Sequence, residues 1–218
     1  TDREIEKHPQ RKEWELKKLS DISTKITDGA HKSPKNHANG DFYYITAKNV
    51  RPGKINFTNA TYVSKEDHLE IYARCNPEKG DVLFTKDGSF GYAAVNEVDI
   101  PFSMLSSVAL IKPDLSKINP YYLEFFLNSG KALEQIKSNV TGSALKRIVL
   151  RDIKNLEIPL PLLPIQKQIV QNIKNAEEKF KSQKTQFENI KENYENSITY
   201  VNHIQSSILD AAFSGKLV

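Results

Sequence analysis

The stretch "LEIPLPLLPIQKQIVQNI", residues 156–173, decides how this chain is built. Pro159, Pro161 and Pro164 stand within six residues, and no proline follows them. Proline is tolerated in the first turn of a helix but not in its interior, so Pro164 marks the last possible break before a helix. Counting in sevens from Ile173 gives Ile173, Phe180, Phe187, Tyr194, Val201 and Ile208, apolar or aromatic every time. Counting from Ala176 gives Ala176, Gln183, Ile190, Ser197, Ile204 and Ala211, small or polar residues alternating with isoleucine. A heptad pattern held this long predicts a coiled coil. From Ile165 to Phe213 such a helix spans roughly 70 Å, with Gly215 expected as a left-handed C-cap.

A helix of that length outruns any small head it is attached to, so its seam needs another helix. The residues expected to form the dimerisation seam are Ile173, Ala176, Phe180, Phe187, Ile190, Tyr194, Val201, Ile204 and Ile208. Large residues at one heptad position facing small ones at the other favour an antiparallel pair. The prolines before it read as a stiff hinge at the exit of a globular head.

Upstream, the sequence predicts a mixed α/β head. "FYYIT" (42–46), "DVLFT" (81–85), "YAAV" (92–95) and "SSVALI" (106–111) are β-branched and aromatic runs bounded by turn residues, and read as strands. "NPYYLEFFLNSGKALEQI" (119–136) reads as a helix with Asn119 as N-cap, Pro120 at its first position and a break at Gly130. The expected class is α+β: residues 1–163 a globular head, residues 164–218 a long coiled-coil helix.

Composition excludes several classes. One cysteine, Cys75, rules out an internal disulfide framework and fits a reducing, cytoplasmic compartment. No apolar run is long enough for a membrane span, and the charged N-terminus is no secretory signal. No G-x-x-x-x-G-K-[ST] occurs. "NPYY" (119–122) lacks the second proline of an amino-methyltransferase motif and opens a helix, so N-cap is the better reading. "PDLSK" (113–117) lacks the nearby acidic-x-lysine strand of a nuclease. The chain is read as non-catalytic, with neither cofactor nor metal.

The net charge of +4 conceals a pattern. Lys25, Lys32, Lys35, Lys48, Arg51 and Lys54 face only Asp28 and Asp41 within residues 25–54, and Lys137, Lys146, Arg147, Arg151 and Lys154 face only Asp152 within 137–154. Residues 64–81 between them are acidic on balance. Two basic segments around an acidic middle point to one charged face.

The segments "WELKKLSDI", "ITDGAHKSP", "YITAKNVRPGKINF", "YVSKEDHLEIYAR", "KGDVLFTKDGSFGYAAV", "LSSVALIKPD", "TGSALKRIVLRDIKNLEIPLPLLPIQKQIV" and "SILDAAFSGKLV" resemble, in order and spacing, the DNA specificity (S) subunit of type I restriction–modification systems. "IPLPLLPIQKQIV" and "AAFSGKLV" are the most specific parts. The resemblance implies a target-recognition domain reading one half of a split DNA site. It also implies a helix that spaces two heads and docks methyltransferase (M) and restriction (R) subunits. The usual chain carries two such head-plus-helix units and this one has one, so it is expected as a half-length subunit that forms a homodimer, or as one half of a longer chain. A lysine, Lys167, stands beside Gln166 where the family commonly shows an acidic residue.

On that reading double-stranded DNA is the partner. His31, Lys32, Asn36 and His37 after "TDGA", and Lys86, Ser89 and Tyr92 around "KDGSFGY", are candidates to reach base edges, and Lys35 is a DNA-binding candidate from the first basic segment. Lys48, Arg51, Lys146, Arg147 and Arg151 are candidates for phosphate. His31 and His37 have metal-pair spacing but no third ligand, which favours a loop role. Two alternatives stay open: a coiled-coil scaffold with a protein-binding head, and the specificity chain of a related fused nuclease–methylase.

Overall fold

A computed structural model describes residues 14–32, 34–88, 91–138 and 148–214. The chain divides into two compact units, Thr1–Gln171 and Asn172–Val218. In chain order the elements are β1 (Glu15–Lys18), a 3-10 turn (Leu19–Ile22), β2 (Ser23–Asp28), β3 (Phe42–Ile45), β4 (Val50–Arg51), β5 (Lys54–Ile55), β6 (Thr61–Val63), α1 (Lys65–Arg74), β7 (Val82–Thr85), β8 (Ala93–Val95), β9 (Phe102–Met104), β10 (Val108–Pro113), α2 (Pro120–Leu127), α3 (Gly130–Ser138), α4 (Leu150–Lys154), β11 (Glu157–Leu160) and α5 (Leu163–Phe213). The class is α+β, as the sequence predicts.

The centre of the first unit is an antiparallel sheet in the order β2-β10-β7-β8. Every residue of β7 is buried, and so are Val108 to Ile111 of β10, which is why both strands read as continuous apolar runs rather than alternating ones. A smaller sheet, β6-β3-β9, pairs β3 with β9 in parallel. Its residues Ile45, Phe102 and Met104 join Leu83, Ala94, Val108 and Leu110 in one apolar cluster that includes Cys75. Burial pushes the Cys75 thiol up to about 12, which leaves it protonated and inert.

The outer edge of β8 is capped by α2. Asn128 accepts from Ala93 N (2.9 Å) and donates to Ala93 O (3.0 Å), and the buried Glu124 carboxylate accepts from Val95 N (2.6 Å). Both side chains lie on one helix face, being four residues apart. They satisfy main-chain groups that an open sheet edge leaves unpaired. Asn119 is the N-cap of α2, accepting from Tyr121 N and Tyr122 N, with Pro120 at the first position. Helix α3 opens at Gly130, where the break was expected.

The proline-rich stretch corrects one expectation: it is not a hinge. Glu157–Leu160 form β11, paired antiparallel with β1 so that Pro159 lies opposite Leu16. Proline fits there because β11 belongs to a two-stranded sheet and is paired on one side only. The Tyr122 hydroxyl holds the strand by donating to Pro159 O (2.7 Å). Helix α5 then begins at Leu163, with Pro164 second, where no intrahelical N–H is required.

In the second unit α5 continues as helix to Phe213. Phe180, Phe187, Ile190, Tyr194, Val201, Ile204 and Ile208 are each 41–70 % exposed. Ala176 is exposed with them, whereas Ile173 is buried and does not belong to the exposed seam. Gly215 lies outside the described residues.

Candidate nucleic-acid interface

Strand β2 delivers Asp28 into the interior, where it is 2 % exposed. The Lys86 ammonium, also buried, lies 2.5 Å from Asp28 Oδ2, while Arg74 Nη1 and His31 Nε2 lie 3.3 and 3.2 Å from Oδ1. Arg74 also donates through Nη2 to Gly29 O. A buried carboxylate held by the Lys86 and Arg74 cations is the arrangement that offsets its desolvation. Gly29 is required for a different reason. A Cβ built on it would sit 2.0 Å from Met104 O, because the chain crosses β9 closely enough for Ala30 N to donate to that same carbonyl (2.7 Å).

This geometry corrects the reading of Lys86 as a base reader. It is 3 % exposed and its charge is spent on Asp28. Its main chain is equally committed, the N–H donating to Ser107 O (2.8 Å) and the carbonyl accepting from Ile148 N (2.9 Å).

Beyond these anchors lies an open cleft of about 540 Å³. Asn36, Lys48, Arg51, Asn59, Asp87 and Ser107 are on its walls. The turn that presents Lys48 is held rigid by buried Asn49, whose Oδ1 accepts from Thr46 N and Thr46 Oγ1 (3.0 Å each) and whose Nδ2 donates to Asn56 O (3.1 Å). Lys48 itself is exposed. Arg51 is folded onto the same turn, donating to Val50 O (2.8 Å) and Ala47 O (3.3 Å). Gly88 on the cleft rim has φ +72°, a conformation that favours glycine.

A second groove, about 420 Å³, takes His31 and Lys32 on one side and Asp67, Glu70 and Arg74 on the other. His37 pairs its main chain with Tyr62 in both directions (2.9 Å) and leaves its side chain exposed, as are Lys35 and Asn36. His31 and His37 therefore have separate partners, and no group of three metal-ligating side chains occurs among the described residues. Tyr92 is half-buried, its N–H on Thr85 Oγ1 (2.9 Å). Arg151 on α4 is exposed beside Asp152 (3.3 Å). Ser89, Lys146 and Arg147 lie outside the described residues.

The residues that sequence reasoning missed are the anchors Asp28, Arg74 and Asn49, together with Asp87 on the cleft wall. Each is a common polar residue in a turn or at an element's end. Their partners lie as much as 58 positions away for Asp28 and Lys86, so no local signal marked them.

Comparison with known proteins gives the arrangement its context. Residues 11–192 match the type I restriction modification DNA specificity domain. The chain belongs to that family. It is 29 % identical over 173 residues to the EcoBI type I restriction enzyme specificity subunit of Escherichia coli, a match covering 79 % of this chain and 35 % of that protein. It is 31 % identical over 168 residues to the putative MjaX specificity subunit of Methanocaldococcus jannaschii, covering 72 % and 38 %. The fold is that of the HsdS subunit from Thermoanaerobacter tengcongensis, with a TM-score of 0.60 at 19 % identity over 98 % of this chain and 49 % of that one. The chain thus spans about half the length, or less, of the DNA specificity proteins it matches. Among the described residues no helix is long and apolar enough to cross a membrane.

Proposed function

We propose that this chain is a non-catalytic, cytoplasmic specificity subunit that reads one half of a bipartite DNA site and directs partner methyltransferase and restriction subunits to it. One observation carries the reading: a chain of the DNA specificity domain family carries exposed Lys48, Lys35, Asn36 and His37 beside a cleft also lined by Asn59 and Asp87. Lysines on the rim neutralise phosphate, and amide and carboxylate groups match base edges. His31, Lys32, Tyr92 and Arg151 remain candidates beside them, and Ser89, Lys146 and Arg147 are candidates on their sequence alone. The exposed seam of α5 serves a homodimer, whose twofold axis makes the site a palindrome interrupted by nonspecific bases.

Genome-wide adenine methylation mapping tests this in cells carrying the full chain with its methyltransferase partner. A split palindromic motif is the expected result. A split asymmetric motif replaces the homodimer with a second, different head. No motif, together with duplex binding that barely changes between about 50 and 200 mM salt, would falsify the DNA reading in favour of a scaffold; a reader of six or more phosphates loses roughly a thousandfold over that range.

A further inference from the structure

Gln166 has a geometry that the recognition reading leaves unused. It is fully buried, yet it is an uncharged amide with a strong need for hydrogen-bond partners. Its Oε1 accepts from Asn119 N (2.8 Å), and its Nε2 donates both to Lys117 O (2.9 Å) and to Pro161 O (2.8 Å). Three of its four bonding positions are therefore filled, all by main chain and from two separate segments. One segment is the exit of β11. The other is the N-cap of α2.

The consequence reaches the cleft. Asn119 caps α2, the Asn128 amide of the segment just beyond α2 holds Ala93 on β8, and Ala93 O accepts from Gly53 N (3.0 Å) in the β4–β5 hairpin. That hairpin carries Arg51 on the cleft wall. Hydrogen bonds and regular elements thus connect the first turns of α5 to the proposed recognition surface, with Gln166 as the link at the helix end.

We propose that Gln166 is a positioning residue that sets spacer-length discrimination: it fixes the start of α5 on the head so that the helix works as a rigid ruler between half-sites. A hydrophobic residue of the same length would pack there equally well but leave the Asn119 N–H and two carbonyls without their partner. The helix start would then be held by packing alone and would tolerate more than one orientation.

This rests on the specificity-subunit reading, and the test separates the two. Full-length chain is assembled with its methyltransferase partner and assayed on duplexes carrying the mapped half-sites at spacers from two base pairs shorter to two longer. Wild type is expected to methylate one spacer length sharply. In Gln166→Met the preference over neighbouring lengths falls by about fivefold or more, the factor that one net hydrogen bond is worth, with base preference inside each half-site unchanged. If Gln166→Met does not fold, the profile is read on Gln166→Asn, which keeps the amide but withdraws it by one methylene. A variant profile as sharp as wild type overturns the inference, and so does simultaneous loss of half-site and spacer preference, which marks a merely structural residue. Wild type that methylates none of the duplexes overturns the specificity-subunit reading instead.

Discussion

The Lys86 ammonium lies 2.5 Å from the Asp28 carboxylate, with both side chains almost wholly out of solvent. Asp28 ends β2 and Lys86 follows β7, strands separated in the sheet by β10, so the pair ties together the two strand ends from which the cleft-side loops start. Removing one partner strands a buried charge. Asp28→Ala is expected to destabilise the fold by about 3–5 kcal/mol in urea denaturation, whereas Asp28→Leu with Lys86→Met recovers most of that loss. A double variant no more stable than the single one sinks this account.

Gly29 makes a sharper demand. A methyl group there meets Met104 O and C and Leu105 C at 2.0–2.6 Å, all of them backbone atoms that no side-chain rotation can move. Gly29→Ala is therefore expected to destabilise by more than about 3 kcal/mol, at the upper end of overpacking effects. Gly80→Ala makes a useful contrast. Its φ of +94° brings strain but nothing lies within 4 Å, so it is expected to lose less.

His68 predicts a pH dependence of stability. Its ring is stacked on Phe42 at 3.9 Å, packs near Tyr72, and shares a hydrogen bond with Ser103 (2.9 Å). Burial holds its pKa below the ordinary imidazole value, so the folded state prefers the neutral ring. The stability that depends on neutrality is complete above about pH 6.5, the unfolded value, and is lost as pH falls through that value toward the lower folded one. Denaturation midpoints between pH 7.5 and 5 are expected to fall less steeply in His68→Phe than in wild type. Parallel curves would rule out His68 as the cause.

On the proposed reading, Lys48 meets phosphate rather than a base. Lys48→Gln is expected to weaken duplex binding equally on cognate and unrelated sequences. It also reduces the slope of log K against log salt by about 0.9. Asn36→Ala, by contrast, is expected to lower the ratio of cognate to unrelated affinity and leave the salt slope as it was. Titrations at several salt concentrations read both quantities, and the opposite assignment of effects would exchange the two roles.

The exposed aromatic seam of α5 predicts concentration-dependent assembly. Phe187→Asp places a charge at a position 67 % exposed in the single chain, so a monomer tolerates it while a helix pair does not. Sedimentation is expected to show a dimer for wild type and a monomer for the variant, with unchanged thermal unfolding of the head. A variant that still dimerises moves the interface elsewhere.

Patterns that repeat along the chain were legible without a structure. The heptads of α5, the apolar runs of β3, β7, β8 and β10, and the Asn119–Pro120 start of α2 each follow from local preference and periodicity, and each formed where the residues demand it. Strands β1, β9 and β11 carried no such signal, because their residues (ELKK, FSM, EIPL) form no β-branched or aromatic run and owe their conformation to a distant partner. The proline stretch shows the limit clearly: Pro159 reads as a hinge by itself and becomes a strand only because Leu16 lies opposite. Charge was legible as composition but not as direction. Lys48 and Lys86 look alike in sequence, yet one faces solvent and the other is consumed by Asp28, since burial and ion pairing are decided by which remote segments meet. The sequence by itself determined a mixed head, a long seam-bearing helix and two basic segments. Only the tertiary structure decided which cations are exposed and which are buried against a carboxylate, and which main-chain groups Gln166 holds, because both depend on contacts between residues far apart in the chain.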